Sequence, residues 1–533
     1  MQTAFTPEYW SSQFKITRTD LDYLFSLFLE LETPLTRQQL AERLVEFRIK
    51  KESDRLRKQL ERGTIFQPKN AYEIGQEVVF PALEYASGKV VATRAGNNPD
   101  YGDFTVIDVE FEGKRRKEFA SALSTPHALN IDEAGGQRGA ALPMPSVKSI
   151  MDEYGESIID EIEARLVDEE DATSFGDQWF LASLLPDVNV GHLHLAEAVL
   201  DINEGGPLPS DALLKDVDLA LETPQPVREF SLNAALANDD RFDDVGAAGQ
   251  VQWFLRRLEP DEVQNTPPRL LYTRIDYDPA VLTDDLRALE REIDDEWSDF
   301  ETVSSVNEGR IVLNYPHRRV GTLPLTSRIR ALFPTAYESP RIRVTLVDAQ
   351  TGDEFAGWVV HEDRFVFGLF DFYKRYGFPI GGYLMVKRTD DPGRLLLEFQ
   401  GYKPRSEYIR LAVPQNGRLT FANFKRSIGA AYDDLSIIGT EDIKGVDQVW
   451  KQTTDRRRGL VEIMKDLIPE LGKLAPQNAV HAKTLYAAVN ILRRMPPGPI
   501  FAALLTRDDF EHVGGPYWRV RPAAAARLRV WID

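Results

Sequence analysis

LNAALANDDRFDDVG (residues 232–246) aligns without a gap on IFAALLTRDDFEHVG (residues 500–514), with seven identical positions in fifteen. Helical segments precede each copy, and an aromatic strand follows it, QVQWFL in the first and PYWRV in the second. The pattern predicts a helix that ends in an acidic turn, a Phe and a Val that hold the turn on the core, a Gly at the bend, and a strand. The sequence therefore predicts one module that occurs twice, in residues 190–260 and 446–522.

The Phe-x-x-Val-Gly turn and the Trp that follows it resemble the HARE-type winged helix-turn-helix of bacterial RNA-polymerase accessory and chromatin-associated proteins. This resemblance implies a winged-helix fold and DNA binding for both copies. The first copy is strongly acidic, so we expect it to bind a protein partner. The second copy is more basic, and its expected DNA contacts include Arg493 and Arg494.

Residues 1–72 also read as a winged helix-turn-helix. Residues 19–32 place apolar side chains at helical spacing, and Thr36 with Gln39 forms a capping-box signature for a second helix. A third helix is expected from about Lys50 to Arg62, before the wing TIFQPKNAYEI. Three of its cations are predicted to contact DNA, as a recognition helix in the major groove would: Lys51, Arg55 and Lys58. The alternative is a three-helix scaffold for protein contacts.

Residues 73–130 alternate in short apolar runs separated by Gly, Asn, Pro and Asp, which predicts a small β-barrel. The order of its strands resembles the KOW and related transcription-associated domains. A compact basic cluster lies at one predicted hairpin tip: Lys114, Arg115 and Arg116. This cluster is expected to bind phosphate or, alternatively, to protect a hairpin edge from aggregation.

Residues 301–445 are rich in β-strand patterns again, interrupted by one helix, FDFYKRYG. Leu323-Pro324, VTLVDAQTGDEFAGW and GLFDFYKRYGFPIGGYLMVKR resemble the DNA-binding pseudobarrel of plant auxin- and abscisic-acid-response factors and of restriction-enzyme recognition domains. By position, the resemblance implies that the first DNA-gripping arm carries four arginines: Arg318, Arg319, Arg328 and Arg330. The alternative is a barrel that only packs domains together.

Charge is distributed unevenly over the 533 residues, whose net charge is −20. Lys and Arg number 20 against 21 Asp and Glu in residues 1–150, 10 against 37 in 151–300, and 34 against 26 in 301–533, which gives −1, −27 and +8. The expected organisation adds an acidic helical linker (131–185), an acidic HARE-type module (186–300) and a C-terminal HARE-type module (446–533). The acidic segment 151–300 is expected to recruit a protein, or simply to keep the chain soluble.

The absence of cysteine excludes disulfides, thiolate catalysis, Cys-ligated zinc and iron–sulfur clusters. No nucleotide-binding or hydrolase motif occurs, and His192 with His194 lacks a carboxylate at metal-ligand spacing. Asp100, Glu112 and Lys114 satisfy a loose nuclease pattern, but Glu112-Gly113 fits a hairpin turn better than a nuclease core. We therefore expect no enzyme, no cofactor and no metal.

The sequence thus predicts a soluble, cytoplasmic, multi-domain α+β protein without a membrane segment, built from winged helix-turn-helix modules, a small β-barrel and a pseudobarrel. Its expected function is non-enzymatic binding of duplex DNA, in transcription regulation or DNA architecture. One alternative is a recognition or effector subunit of a nuclease or defence system. A second is a protein-interaction scaffold, which is favoured if the arginine-rich faces pair with the acidic segment of the same chain.

Overall fold

A computed structural model describes residues 4–522, apart from 61–62, 81–82, 84–85, 99–100, 126, 128, 131–144, 248, 305 and 337–339. The chain forms two compact units. The first contains Met1–Asp187 and Ala220–Ser231, and the second contains Val188–Leu219 and Leu232–Asp533. Both units mix helices and strands, so the α+β, multi-domain class expected from the sequence is correct.

The first unit begins with a helix, a short strand and a long helix: α1 (Arg18–Leu31), β1 (Leu35–Thr36) and α2 (Arg37–Leu60). The capping box predicted before α2 is present, because Gln39 N donates to Thr36 Oγ1 at 3.2 Å and Thr36 N donates to Gln39 Oε1 at 2.9 Å. The separate third helix predicted from Lys50 is wrong. Neither Gly nor Pro interrupts residues 37–60, so the second and third predicted helices are one continuous helix.

A five-stranded, mostly antiparallel sheet follows, in the region where the sequence predicts a small barrel. Its strands are neighbours in chain order: β2 (Thr64–Ile65), β3 (Glu77–Phe80), β4 (Ala86–Ala95), β5 (Thr105–Phe111) and β6 (Arg115–Ser121). Aromatic rings fill its core, with Phe80 4.7 Å from Phe66 and 4.3 Å from Phe119 between ring centroids. Thr64–Ile65, which the sequence assigned to a wing, pairs with β3 instead.

The segment predicted as a linker, 131–185, contains a helix and a hairpin in its described part: α3 (Val147–Leu166), β7 (Ala172–Phe175) and β8 (Gln178–Leu181). Helix α3 packs along α2, and β8 pairs with β1, so the sheet order is β1-β8-β7. The linker prediction is therefore wrong. The five-stranded sheet is an insertion between α2 and α3 of one helix–hairpin module.

The same element order recurs in the next segment: α4 (Val190–Ile202), α5 (Ser210–Leu213), α6 (Gln225–Ala237), β9 (Phe242–Asp244) and β10 (Trp253–Leu255). Two further helices follow, α7 (Asp261–Gln264) and α8 (Asp284–Ile293). An isolated antiparallel β-bridge between Leu208 and Trp253 corresponds to the pairing of β1 with β8 in the first unit.

Seven strands and two short helices then form a nearly closed, barrel-like sheet. The elements are β11 (Glu308–Val312), α9 (Tyr315–Val320), β12 (Thr322–Pro324), β13 (Arg341–Asp348), β14 (Glu354–Val360), β15 (Phe365–Phe367), α10 (Phe370–Arg375), β16 (Tyr383–Arg388) and β17 (Arg394–Glu398). The strand order is β11-β16-β17-β13-β14-β15-β12. The predicted β-rich region and its single FDFYKRYG helix are present, and α9 is an additional helix that the strand patterns did not reveal.

A long hairpin leaves this sheet: β18 (Gly401–Gln415) and β19 (Arg418–Ala430), with β20 (Ile438–Gly439) parallel to β18. The chain ends in a third helix–hairpin module. Its elements are α11 (Ile443–Asp455), α12 (Leu460–Gly472), β21 (Val480–His481), α13 (Ala482–Leu492), α14 (Pro497–Thr506), β22 (Phe510–Gly514) and β23 (Tyr517–Val520).

One tryptophan has the same position in all three modules. Trp179, Trp253 and Trp518 each lie on the last hairpin strand, and each is opposite an apolar residue just before an earlier helix, Leu35, Leu208 or Val480. All three tryptophans are buried. The predicted repeat of two therefore has a third copy in the first unit.

The boundary predicted between residues 445 and 446 does not separate two cores. A single buried cluster joins Leu286 of α8, Tyr315 of α9 and Phe421 of β19 to the helices of the C-terminal module, including Ile463 and Phe501. The hairpin and the C-terminal module therefore fold against each other within the second unit.

Candidate nucleic-acid interface

The cations predicted on the N-terminal recognition helix lie on the exposed C-terminal half of α2. Lys51, Arg55 and Lys58 are solvent-exposed and are spaced by four and three residues, so they share one helix face. The Lys51 ammonium lies 5.6 Å from the centroid of the Phe47 ring, and Arg55 pairs with Glu52 at 3.3 Å. This face is accessible to phosphate.

The hairpin tip between β5 and β6 is exposed as well. Lys114 and Arg115 have no ion-pair partner among the residues that the structure describes, whereas Arg116 pairs with Glu110 at 2.8 Å. Glu112 and Lys114 lie in the exposed turn, as the sequence predicted. Asp100 lies outside the described residues, so whether the three groups of the nuclease pattern converge stays a prediction.

The four arginines predicted on the pseudobarrel arm are largely used inside the protein. Arg318 Nε donates to the Phe378 carbonyl at 2.8 Å, and Arg319 donates to Asp447 at 2.8 Å. Arg328 donates to the Glu292 carbonyl at 3.2 Å, and Arg330 donates to the Leu325 carbonyl at 3.4 Å. Burial lowers the pKa of Arg318 and of Arg330. These internal hydrogen bonds disagree with the expectation that all four arginine side chains extend freely toward DNA.

Among the predicted DNA contacts, Arg494 is the one that the structure contradicts most clearly, because its side chain is buried. Its side chain is 1% exposed and donates to Asp295 at 2.7 Å and to Asn490 at 2.9 Å. Glu296 lies 2.5 Å away and also contacts His317 at 2.8 Å. Charge counting cannot distinguish such a buried cation from a surface one, because both contribute the same formal charge. Arg493, next to it, donates to the Arg458 carbonyl at 3.0 Å and is half-buried.

In the buried cluster around Arg494, the guanidinium and the carboxylates of opposite charge stabilise each other. Burial raises the pKa of Asp295, while Arg494 and His317 lower the pKa of Glu296 against the effect of burial. The two carboxylates raise the pKa of Arg494, although burial opposes this. Asp295 and Glu296 belong to the acidic segment 151–300, so part of that acidity neutralises cations of the same chain.

The β18–β19 hairpin is a third basic surface element. Residues 401–430 contain six Lys and Arg against one Asp or Glu. Four of these cations are exposed. Arg418 pairs with Asp466 at 3.5 Å, whereas Lys403, Arg405 and Lys425 have no ion pair within the described ranges. We call these three cations, with Tyr408 and Phe424, the basic ribbon.

The ribbon exposes two large aromatic side chains among its cations. Tyr408 is 74% exposed and lies directly across from Lys425, and Phe424 is 43% exposed. Because directly opposed residues of an antiparallel pair point to one face, Tyr408 and Lys425 share the outer face. Ile409 is 7% exposed and lies across from Phe424, so the other face of the hairpin packs inward there.

The sequence contained a signal for this hairpin that the strand patterns alone did not use. Asn416 and Gly417 both have positive φ, 52° and 74°, at the turn between β18 and β19. An Asn-Gly pair between two alternating runs is the strongest local signal for a tight hairpin. This signal predicts that YIRLAVPQ and RLTFANF form one hairpin, and it would have shown that their cations belong to the same two-stranded element.

The acidic segment exposes apolar side chains on α4. Val190, Leu195 and Ile202 are 65%, 47% and 83% exposed. An exposed apolar surface beside acidic side chains is typical of a protein-binding site. His192, on the same helix, accepts a hydrogen bond from the Asn189 backbone at 3.2 Å and so belongs to the helix cap.

Within the ranges described, no helix combines the length and apolarity needed to cross a membrane. The same residues contain no group of three His, Cys, Asp or Glu side chains suited to hold a metal ion. Comparison of the chain with protein-family models, with curated proteins and with solved structures found no match in any of the three.

Proposed function

We propose that the protein binds duplex DNA without catalysing a reaction on it, in a regulatory or architectural role. The observation that carries this proposal is the basic ribbon, a two-stranded hairpin that exposes Lys403, Arg405 and Lys425 together with Tyr408, which lies across from Lys425. The major groove of B-DNA admits a two-stranded β-ribbon. Lysine and arginine supply the phosphate contacts that give most of the affinity for DNA.

The order of helices and strands is compatible with modules that bind DNA. Three helix–hairpin modules fit the winged-helix interpretation, and the seven-stranded sheet fits the pseudobarrel resemblance. However, α3, which precedes the first hairpin, carries two basic residues against six acidic ones. Phosphate repulsion disfavours placing such a helix in a DNA groove. We therefore assign the contacts to the basic ribbon, to the exposed face of α2 and to the β5–β6 tip.

Replacing Lys403, Arg405 and Lys425 together with Ala tests this assignment in the full chain. Removing one phosphate-binding cation lowers the slope of log K against log salt by about 0.9, so the expected reduction is roughly 2–3. The matched control replaces three other exposed cations, Lys148, Lys215 and Arg274, and removes the same charge. An equal effect of both triple variants would mean that net charge, rather than the ribbon, governs binding.

Tyr408→Ala separates duplex binding from single-strand binding. Stacking of an unpaired base on an aromatic side chain contributes about 1–3 kcal/mol, whereas paired bases in a duplex cannot stack in this way. For a duplex binder we expect a loss of less than about 1 kcal/mol on duplex DNA. A larger loss on single-stranded DNA or RNA of the same sequence would move the proposal to an unpaired nucleic acid.

A second function, a protein-interaction scaffold, is favoured by the pairing of cations with the acidic segment. Arg494 pairs with Asp295, Lys483 with Glu292 at 2.5 Å, and Arg341 with Asp243 at 2.5 Å. The apolar residues exposed on α4 offer a surface for a partner protein. The two functions differ in one measurement, since a scaffold binds no nucleic acid even at low salt.

A further inference from the structure

A pocket of about 400 Å³ lies between the short helices of the seven-stranded sheet and the inner face of the β18–β19 hairpin. Helices α9 and α10 form one wall, and Ile409, Leu411 and Ile428 form the opposite wall. Pockets that hold small molecules begin at about this size and are mostly apolar with a few polar groups. Here the apolar part comes from isoleucine, leucine and phenylalanine side chains.

The charged residues of the pocket all have the same sign. Four cations line it, Arg318, Arg319, Lys374 and Arg426, and no Asp or Glu does so among the described residues. Two of these cations have carboxylate partners outside the pocket, Asp447 for Arg319 and Glu441 for Arg426. The lining therefore carries an excess of positive charge against apolar walls.

Arg318 is the cation that most requires a counter-ion. Its described contacts are a hydrogen bond from Nε to the Phe378 carbonyl at 2.8 Å and the face of the Tyr373 ring at 5.5 Å. Neither partner is charged. A guanidinium that is partly removed from water without a carboxylate is unfavourable, and an anion in the pocket would compensate it.

Two hydroxyl groups of the lining point to the same conclusion. Tyr315 is 3% exposed, and its buried hydroxyl has no hydrogen-bond partner among the residues that the structure describes. Within the same ranges, the buried hydroxyl of Thr440 also has none. Because nearly all buried polar groups in proteins are hydrogen-bonded, these two hydroxyls are available to bind a polar group of a ligand.

We propose that this pocket binds a small amphipathic anion, with a carboxylate or phosphate head beside Arg318 and Lys374 and an apolar body against Ile409, Leu411 and Ile428. Inorganic anions lack the apolar body, and neutral hydrocarbons lack the charge. The proposal does not rest on nucleic-acid binding, because no residue of the basic ribbon lines the pocket.

Calorimetric titration of the full chain with matched probes tests the proposal. Octanoate and octyl phosphate carry the two possible head groups, octanol has the same tail without charge, and acetate has a head without a tail. We expect saturable binding of octanoate or octyl phosphate, at least about tenfold tighter than that of octanol or acetate. The comparison of the two anions identifies the head group. Equal binding of octanol, or no saturable binding of either amphiphile, would overturn the proposal.

Two substitutions locate the binding. Lys374→Glu reverses an exposed charge, so the fold tolerates it, and Arg318→Gln removes the buried charge. Each is expected to weaken binding of the anion about tenfold or more, whereas Lys215→Glu, an exposed control elsewhere, leaves it unchanged. Affinity that is unaffected by both Lys374→Glu and a folded Arg318→Gln would place the ligand in another site.

Discussion

Glu259 and Asp243 are buried carboxylates that share the guanidinium of Arg341. Arg341 Nε lies 3.2 Å from Glu259. Arg341 also contacts Oδ2 of Asp243, and Arg256 lies 2.6 Å from Oδ1 of the same carboxylate. Burial, together with the neighbouring Asp243, raises the pKa of Glu259 to about 8. The hydrogen bonds from Arg256 and Arg341 lower the pKa of Asp243 despite burial. These opposite shifts predict that the pair retains one proton near neutral pH.

This proton makes the stability of the second unit depend on pH. An acid with a raised pKa in the folded state binds more protons there than in the unfolded chain, so stability falls as pH rises from about 4.5 to about 8. Glu259→Gln stays neutral. We expect it to match the natural protein near pH 5 and to exceed it by roughly 1–3 kcal/mol at pH 9.

Urea unfolding at both pH values measures this difference, with Glu262→Gln as an exposed control on the next helix. A difference between Glu259→Gln and the natural protein that is the same at both pH values would refute the assignment of the proton.

Arg494 supports a second prediction for a single residue. Arg494→Ala leaves Asp295 and Glu296 buried without their shared cation. Breaking a buried ion pair in this way costs about 3–5 kcal/mol, so the unfolding free energy should fall by that amount. Lys451→Ala, an exposed control, should change it by less than about 0.5 kcal/mol. A loss below about 1 kcal/mol for Arg494→Ala would show that the cluster is accessible to water.

At the scale of elements, α2 is both a packing element and a candidate DNA contact. Its inner face buries Leu40, Leu44 and Val45, and its outer face exposes the three predicted cations. The sequence predicted the capping box and the apolar stripe, because both are local patterns. It divided the helix at Phe47-Arg48-Ile49-Lys50, a stretch that contains no residue able to end a helix.

The outer face of α2 can be tested apart from the basic ribbon. Replacing Lys51, Arg55 and Lys58 together with Ala should weaken duplex binding and flatten its salt dependence by up to about 0.9 for each phosphate-binding cation removed. The exposed positions make a change in stability small. Binding to duplex oligonucleotides across a salt series measures the effect. A salt dependence identical to that of the natural protein would remove α2 from the interface.

At the scale of the whole molecule, the first helix–hairpin module shows what the sequence could not reveal. Its parts were assigned to two predicted segments, 1–72 and 131–185, since the five-stranded sheet is inserted between them. The pairing of Leu35 with Trp179 joins residues far apart in the chain, and no local pattern records such a contact. The two uninterrupted copies, by contrast, were visible as a repeat because their helix and hairpin are adjacent in sequence.

The same reasoning explains the predicted site residues. Segment charges correctly identified basic regions, but the partner of each arginine depends on the tertiary fold. Arg494 and Arg319 pair internally, whereas Lys51, Lys58 and Lys114 remain exposed. The ribbon cations lay inside a segment already expected to bind DNA, and only the register of the hairpin shows that Lys425 lies across from Tyr408.

The salt dependence of binding by the full chain tests the central claim most directly. Duplex DNA, single-stranded DNA and RNA of one sequence would be titrated with the protein between about 50 and 200 mM salt. The account predicts that duplex DNA binds most tightly and that log K falls linearly with log salt, with a slope of about −3 or steeper. No binding of any of the three nucleic acids at about 50 mM salt, or affinity for the duplex that does not change with salt, would contradict it.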